Sequence, residues 1–287
     1  MGCYISFLFR PCLQNLSPAW KEHLPELPKD IVRLDLKLLL SRSDLLVKVK
    51  QMVSESFAGT TTTAPEGTIS WTIDSTASID NDPSNPLKEE PTKERLACFN
   101  WIVEFLFAVE LRYGACFLLM EGDDVVSVAL LIPPNTNNLH DPNMCILTSA
   151  ACQAGSPPSP WNSGKNKAKF DALGAIMSKV HNEIMHEQMH WYLQIMATSI
   201  KHQGKGYGSK LLNFVVSLSD IYSVPMYLET IGAKCIHFYE KFGFEINEKS
   251  KEVFVVVDEK KFPNERLEGG VAMVRQPMDG ATDVVVK

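Results

Sequence analysis

The sequence predicts a layered α/β (α+β) domain, with a mixed, mostly antiparallel central sheet of six to seven strands and helices on both faces. Three observations carry this expectation. Strand-like apolar runs alternate along the chain with segments of helical periodicity. Two of those runs, Ala115 to Met120 and Val125 to Ile132, flank Glu121-Gly122-Asp123-Asp124, a turn that reads as an antiparallel hairpin. Further on, His190 to Thr198 is short and aromatic-rich like a strand, and runs into Gln203-Gly204-Lys205-Gly206-Tyr207-Gly208. Leu211, Leu212, Phe214, Val215 and Leu218 then recur at helical spacing, so the order there is strand, glycine loop, helix.

Each element follows from its local pattern. From Ile31 to Phe57 the apolar spacing is helical, and the turn-rich stretch from Gly59 to Gly67 ends it. A short strand is expected from Thr68 to Ile73. Residues 75 to 92, rich in Ser, Asp, Asn and Pro, read as a loop ahead of a helix from Lys93 to Tyr113 stopped by Gly114. The hairpin ends at Pro133-Pro134, and polar, proline-bearing residues 135 to 165 read as a second loop. Lys167 to His186 is a helix with Phe170, Leu173, Ile176, Met177, Val180 and Ile184 on one face. After the glycine loop and its helix come a strand from Pro225 to Glu229 and a helix from Ala233 to Phe242 closed by Gly243. Val253 to Val257 and Val271 to Val274 are expected as the last strands.

At 287 residues and 45% hydrophobic content, one well-filled core is the expectation: a tail over residues 1–29, a domain over 30–278 and a tail over 279–287. A formal net charge of −6 argues against a general nucleic-acid or anionic-membrane surface. Against that background Lys201, Lys205 and Lys210 form a basic island around the glycine loop, suited to a polyanionic cofactor. The seven cysteines are scattered and never spaced as C-x-x-C, which points to a reducing, cytoplasmic setting and to no cysteine zinc site. Met1-Gly2-Cys3-Tyr4-Ile5-Ser6 fits an acylation pattern, with Gly2 for one chain and Cys3 for a second, so membrane association through a lipid anchor stands beside an unmodified tail.

The glycine loop is where chemistry is legible. Glycine accepts positive φ and lets a ligand approach without a Cβ, and the first helical turn offers free N–H groups and partial positive charge. A pyrophosphate is the matching ligand. The run Gln203-x-x-Gly206-x-Gly208, followed by Phe238-Tyr239-Glu240-Lys241-Phe242-Gly243-Phe244, resembles the GNAT superfamily of N-acetyltransferases, in a branch of fungal and bacterial type. That resemblance implies acetyl-CoA as co-substrate and direct acetyl transfer in a ternary complex to an amine, on a small molecule or a protein. It implies that Gln203, Gly204, Lys205, Gly206, Tyr207, Gly208 and Ser209 hold the pyrophosphate. The main chain of Met196, Ala197 and Thr198 would bind the pantetheine, and Tyr239 would be the general acid.

A base is less evident, because the strand from His190 to Thr198 contains no acid. Glu229 is the first candidate, Glu187 the second, with Tyr192 and His190 behind them. Gly232 stands where many relatives carry an asparagine seven residues before the tyrosine, which removes one side-chain contact to the cofactor. The missing strand acid also leaves open a non-catalytic acyl-CoA sensor or scaffold. Finally, His186-Glu187-Gln188-Met189-His190 spells the zinc-protease motif H-E-x-x-H, which needs both histidines on one continuous helix. The strand expected from His190 breaks that helix.

Overall fold

The computed structural model describes residues 24–73, 86–111, 115–134, 144–186, 188–255 and 270–278. The acylation pattern at Gly2 and Cys3 and most of the loop expected over 75–92 lie outside these residues. The chain runs through β1 (Ile31–Arg33), α1 (Leu36–Ser41), α2 (Ser43–Ala58), α3 (Gly67–Ile73), α4 (Lys93–Glu110), β2 (Cys116–Glu121) and β3 (Asp124–Ile132). It continues through α5 (Met144–Ala154), α6 (Ser159–Asn162), α7 (Gly164–Met185), β4 (Trp191–Thr198), α8 (Tyr207–Tyr222), β5 (Met226–Ile231), α9 (Ala233–Glu240), β6 (Glu245–Ile246), α10 (Glu248–Val255) and β7 (Gly270–Arg275). No helix among the described residues is long and apolar enough to cross a membrane.

Among the described residues, seven strands form one sheet in the order β1-β2-β3-β4-β5-β7-β6. Of the strand pairs among the described residues, only the central β4–β5 pair is parallel. The expected mixed, mostly antiparallel sheet is therefore present, and the hairpin falls where the sequence puts it, with Gly122 at φ +61° in its turn. Helix α8 lays Leu211, Leu212, Val215 and Leu218 on one sheet face, against Phe117, Trp191, Leu193, Met226 and Leu228. The other face carries α2 and α4 over β2 and β3, and α7 over Tyr227 and Ile231 of β5. Leu24 and Leu27, ahead of residue 30, also pack on the α8 side.

Three segments depart from expectation, each because a local cap or a burial demand outweighs composition. Thr68 to Ile73 is helical, since the Glu66 carboxylate accepts from the amides of Thr68 at 2.9 Å and Ile69 at 2.7 Å, capping a helix start. Residues within 135–165, read as loop, contain α5 and α6; Ala150 is fully buried and Trp161 packs inside the core, with its indole N–H donating to Thr72 Oγ1 at 3.0 Å. Val253 to Val255 belongs to α10, whose start is fixed by Asn247: its side-chain oxygen accepts from Lys249 N at 3.1 Å and its carbonyl accepts from Ser250 N at 2.9 Å. Two short strands are not legible in the sequence, β6 and β1; the latter replaces the start of the helical stretch expected from Ile31, because Ile31 to Arg33 pair with Phe117 to Leu119.

The carboxyl end of the sheet is fastened by a buried ion pair. Arg275 of β7 donates both terminal nitrogens to Asp220 of α8 at 2.8 Å each, and its Nε donates to Phe242 O at 3.0 Å. Arg275 is 3% and Asp220 9% exposed, so neither charge has water to fall back on. Asp220→Ala is expected to cost about 3–5 kcal/mol of unfolding free energy, whereas Asp220→Leu combined with Arg275→Met loses less than Asp220→Ala alone; denaturant melts of the three chains measure both.

Candidate active site

The strand before the glycine loop parts from its parallel neighbour. β4 pairs with β5 only at Trp191↔Met226 and Tyr192↔Tyr227, while on its other edge it stays paired with β3 out to Ser127↔Thr198. Ser199 N donates to Val126 O at 3.0 Å. In an antiparallel ladder this alternation turns the main-chain groups of Ala197 toward β3 and aims those of Met196 and Thr198 at the open edge. The Ala197 carbonyl is further engaged by Ser127 Oγ at 2.7 Å, so Ala197 differs from its two neighbours in having no main-chain group free for the split. The register slips between Leu130 and Leu131, leaving Gln194 as the extra residue of a bulge.

At the end of β4, Gln203 ties the loop back to the strand by donating Nε2 to Thr198 O at 3.2 Å, and Ser56 Oγ of α2 donates to the same carbonyl at 3.1 Å. Gly204 and Gly206 have φ of +76° and +85°, and a Cβ at either would meet nothing within 4 Å, so both face open space. Gly206 caps α8 in the left-handed conformation, and Lys210 N closes the first helical bond to its carbonyl at 2.9 Å. The amides of Tyr207, Gly208 and Ser209 thus stand outside the helical ladder. Gly208 is needed for closeness: its Cβ would lie 3.0 Å from Thr198 Oγ1 and 3.8 Å from Phe238 Cζ, so loop, β4 and α9 meet there. A cradle of unpaired N–H groups with open space before it fits a diphosphate.

The basic island is smaller than the sequence implies. Lys210 is paired with Asp30, while Lys201 and Lys205 are exposed and make no ion pair among the described residues. Two acids lie close by instead: Asp30, and Glu121, which accepts from Tyr207 Oη at 2.5 Å and lies 3.5 Å from His202 Nε2.

Tyr239 and Glu229 come from opposite faces. Tyr239 on α9 packs on the α8 side, with its ring 5.2 Å from Phe238 and 5.7 Å from Phe244, and its hydroxyl bonds to no described residue. Burial, with Cys235 one turn earlier adding to it, pushes its phenol up. Glu229 shares its β5 face with Tyr227 and Ile231, which pack against α7. Burial pushes its carboxyl up to about 7, while hydrogen bonds from Tyr192 and Tyr227 pull the other way. The Tyr227 hydroxyl donates to Glu229 Oε1 at 2.7 Å.

The remaining sequence candidates divide. Glu187 lies outside the described residues. Helix α7 ends at Met185, and His186 turns the chain at φ +46°, so His186 and His190 share no helix face and the H-E-x-x-H reading fails. His190 is fully buried: its Nδ1–H donates to Gln188 O at 2.6 Å, and its Nε2 lies 2.8 Å from Nε2 of His181. Gly232 caps α9 at φ +90°. Sequence reasoning missed His181, Tyr227 and the bulge at Gln194, which become neighbours of the candidate site only through tertiary packing.

Residues 170–246 match the family described as the acetyltransferase (GNAT) domain. The match falls on the stretch whose glycine loop and Tyr239 motif resemble that family, and the resemblance is borne out there. A Schizosaccharomyces pombe protein described as an uncharacterized N-acetyltransferase is 29% identical over 113 residues, 39% of this chain and 42% of that one. The matched part is therefore less than half the length of that relative. Among solved structures, an agmatine N-acetyltransferase variant in its apo form is 13% identical with a TM-score of 0.49, covering 86% of this chain and 100% of its own. An arylalkylamine N-acetyltransferase of Aedes aegypti is 14% identical with a TM-score of 0.47, covering 86% and 97%.

Because Gly206 adopts a left-handed conformation in open space, Gly206→Ala meets no steric obstacle beyond its own backbone. It is expected to lower unfolding free energy by roughly 1–2 kcal/mol with an unchanged denaturant slope, as read from urea melts.

Proposed function

We propose that this protein is an acetyl-CoA-dependent N-acetyltransferase acting on a primary amine by direct attack. The observation that carries the reading is the cradle of unpaired amides at Tyr207, Gly208 and Ser209, set at the mouth of the split between β4 and β5. Acetyl-CoA brings an activated thioester. The loop residues 203–209 would hold its diphosphate, and the outward main-chain groups of Met196 with the N–H of Thr198 would bind the pantetheine arm.

Glu229 is the general base in this reading. A protonated amine cannot attack, and a carboxyl raised to about 7 is matched to taking up a proton near neutral pH. Tyr239 is the general acid: a phenol pushed up by burial stays protonated and gives its proton to the departing thiolate as the thioester carbon–sulfur bond breaks. The amine nitrogen meanwhile forms the new bond to the acyl carbon. The two groups approach from opposite sheet faces, so uptake and delivery of the proton are separated by the split strands.

Purified full-length protein with acetyl-CoA and a polyamine, an arylalkylamine, an aminoglycoside or a lysine peptide tests this by thiol release. Tyr239→Phe and Glu229→Gln are each expected to lower kcat by about 10²- to 10⁴-fold, with the calorimetric Kd for coenzyme A little changed. In the unaltered enzyme the rate falls about tenfold per pH unit below 7, because Glu229 must be a carboxylate to accept a proton, and this limb disappears in Glu229→Gln. Binding of coenzyme A with no thiol release from any amine would turn the reading toward an acyl-CoA sensor.

A further inference from the structure

Glu229 does not stand alone. Tyr192, on β4, and Tyr227, on β5, face each other across the last paired register of the two strands, and both hydroxyls reach the Glu229 carboxylate. Their rings lie 5.2 Å apart at 73°. Behind them the His181 ring stacks on Tyr192 at 5.1 Å and tilts against Tyr227 at 4.9 Å, and His190 meets Tyr227 edge-on at 5.8 Å. A carbonyl only accepts, so His190 Nδ1–H donates to Gln188 O, and neutral His190 then accepts from His181 Nε2–H at 2.8 Å. Burial, and then His190, lowers His181 to about 4, so it stays neutral and this order persists at neutral pH.

We infer that Tyr192 and Tyr227 are positioning residues that hold the Glu229 carboxylate ready to accept a proton, and that the His181–His190 pair fixes the two phenol rings. The inference rests on reading Glu229 as the base. A phenol O–H can donate to a carboxylate, and donation to the charged form stabilises it. Burial opposes ionisation of Glu229, and the two hydroxyls, ahead of a backbone hydrogen bond, offset it. Other elements packed around β5 add little of the same kind: β7 sets Ala272 opposite Glu229, and the Cys235 thiol on α9, beside Lys234, is engaged by Thr230. The split is thereby tied to the base, because the two tyrosines occupy the final rung before β4 and β5 separate.

Carbon-13 NMR of glutamate side-chain carboxyls in the full-length chain tests this with no acceptor present, the Glu229 signal being identified by its loss in Glu229→Gln. Tyr192→Phe and Tyr227→Phe keep the rings and their packing. Each is expected to raise the Glu229 titration midpoint by about one pH unit, a tenfold change in proton affinity. Replacing all tyrosines with fluorotyrosine, a stronger donor, leaves the fold intact and shifts the midpoint downward. A midpoint unmoved by the phenylalanine variants and by fluorotyrosine overturns the inference. If the midpoint moves while Glu229→Gln retains full thiol release, the carboxylate–tyrosine coupling stands and the base reading falls.

Discussion

The structure depends on a parallel strand pair that stops pairing after two rungs. Every main-chain N–H and C=O left behind at such a split must find another partner or face water, since burying one unpaired costs about 1–3 kcal/mol. Part of this demand is met internally. Thr198 O accepts from Ser56 and Gln203, and the bulge at Gln194 changes the strand's direction as it leaves β5. What remains, the outward groups of Met196 and the N–H of Thr198, is an edge that an extended, amide-bearing ligand can complete. The opening is thus a consequence of strand geometry before it is a matter of side chains.

Such a split persists only if both halves of the sheet are held independently. β4 is anchored by its ladder with β3, and β5 by its ladder with β7 from Met226↔Arg275 to Ile231↔Gly270. Helix α8 bridges them, burying Leu211, Leu212 and Val215 in the same cluster as Leu193 of β4 and Leu228 of β5. Its far end is fixed by the Asp220–Arg275 pair, which also grips the Phe242 carbonyl just beyond α9. The ion pair therefore links three elements that bound the site: the helix after the glycine loop, the helix bearing Tyr239 and the strand beside Glu229.

Legibility in the sequence followed the range of the interaction. The glycine loop, the hairpin and α8 are set by residues within about ten positions of one another, and their patterns survive in the linear chain. β1 and β6, at three and two residues, exist only because a neighbouring strand offers them partners. Thr68 to Ile73 and Val253 to Val255 misled because β-branched composition was weighed while the capping residues Glu66 and Asn247 were not. At the candidate site, Tyr239 and Glu229 are named from motif and strand position, but the surroundings of Glu229 are invisible in the linear chain. Tyr192 and Tyr227 meet by strand pairing, and His181 joins them from a helix on the opposite layer.

The histidines carry that lesson furthest. Spelled out, His186-Glu187-Gln188-Met189-His190 invites a metal, because five letters on a helix would stack two imidazoles on one face. The chain turns instead at His186, and a left-handed residue there converts helix into the approach to a strand. His190 is then carried inward and meets His181, which lies five residues before His186 on the helix that has just ended. Neutral imidazoles joined Nε2 to Nε2 leave no second lone pair facing a common point, so the pair is spent on mutual hydrogen bonding rather than on ligation. Its rings pack instead against Tyr192 and Tyr227 beside Glu229, so letters that spell a metal site fold into part of the packed face of the sheet.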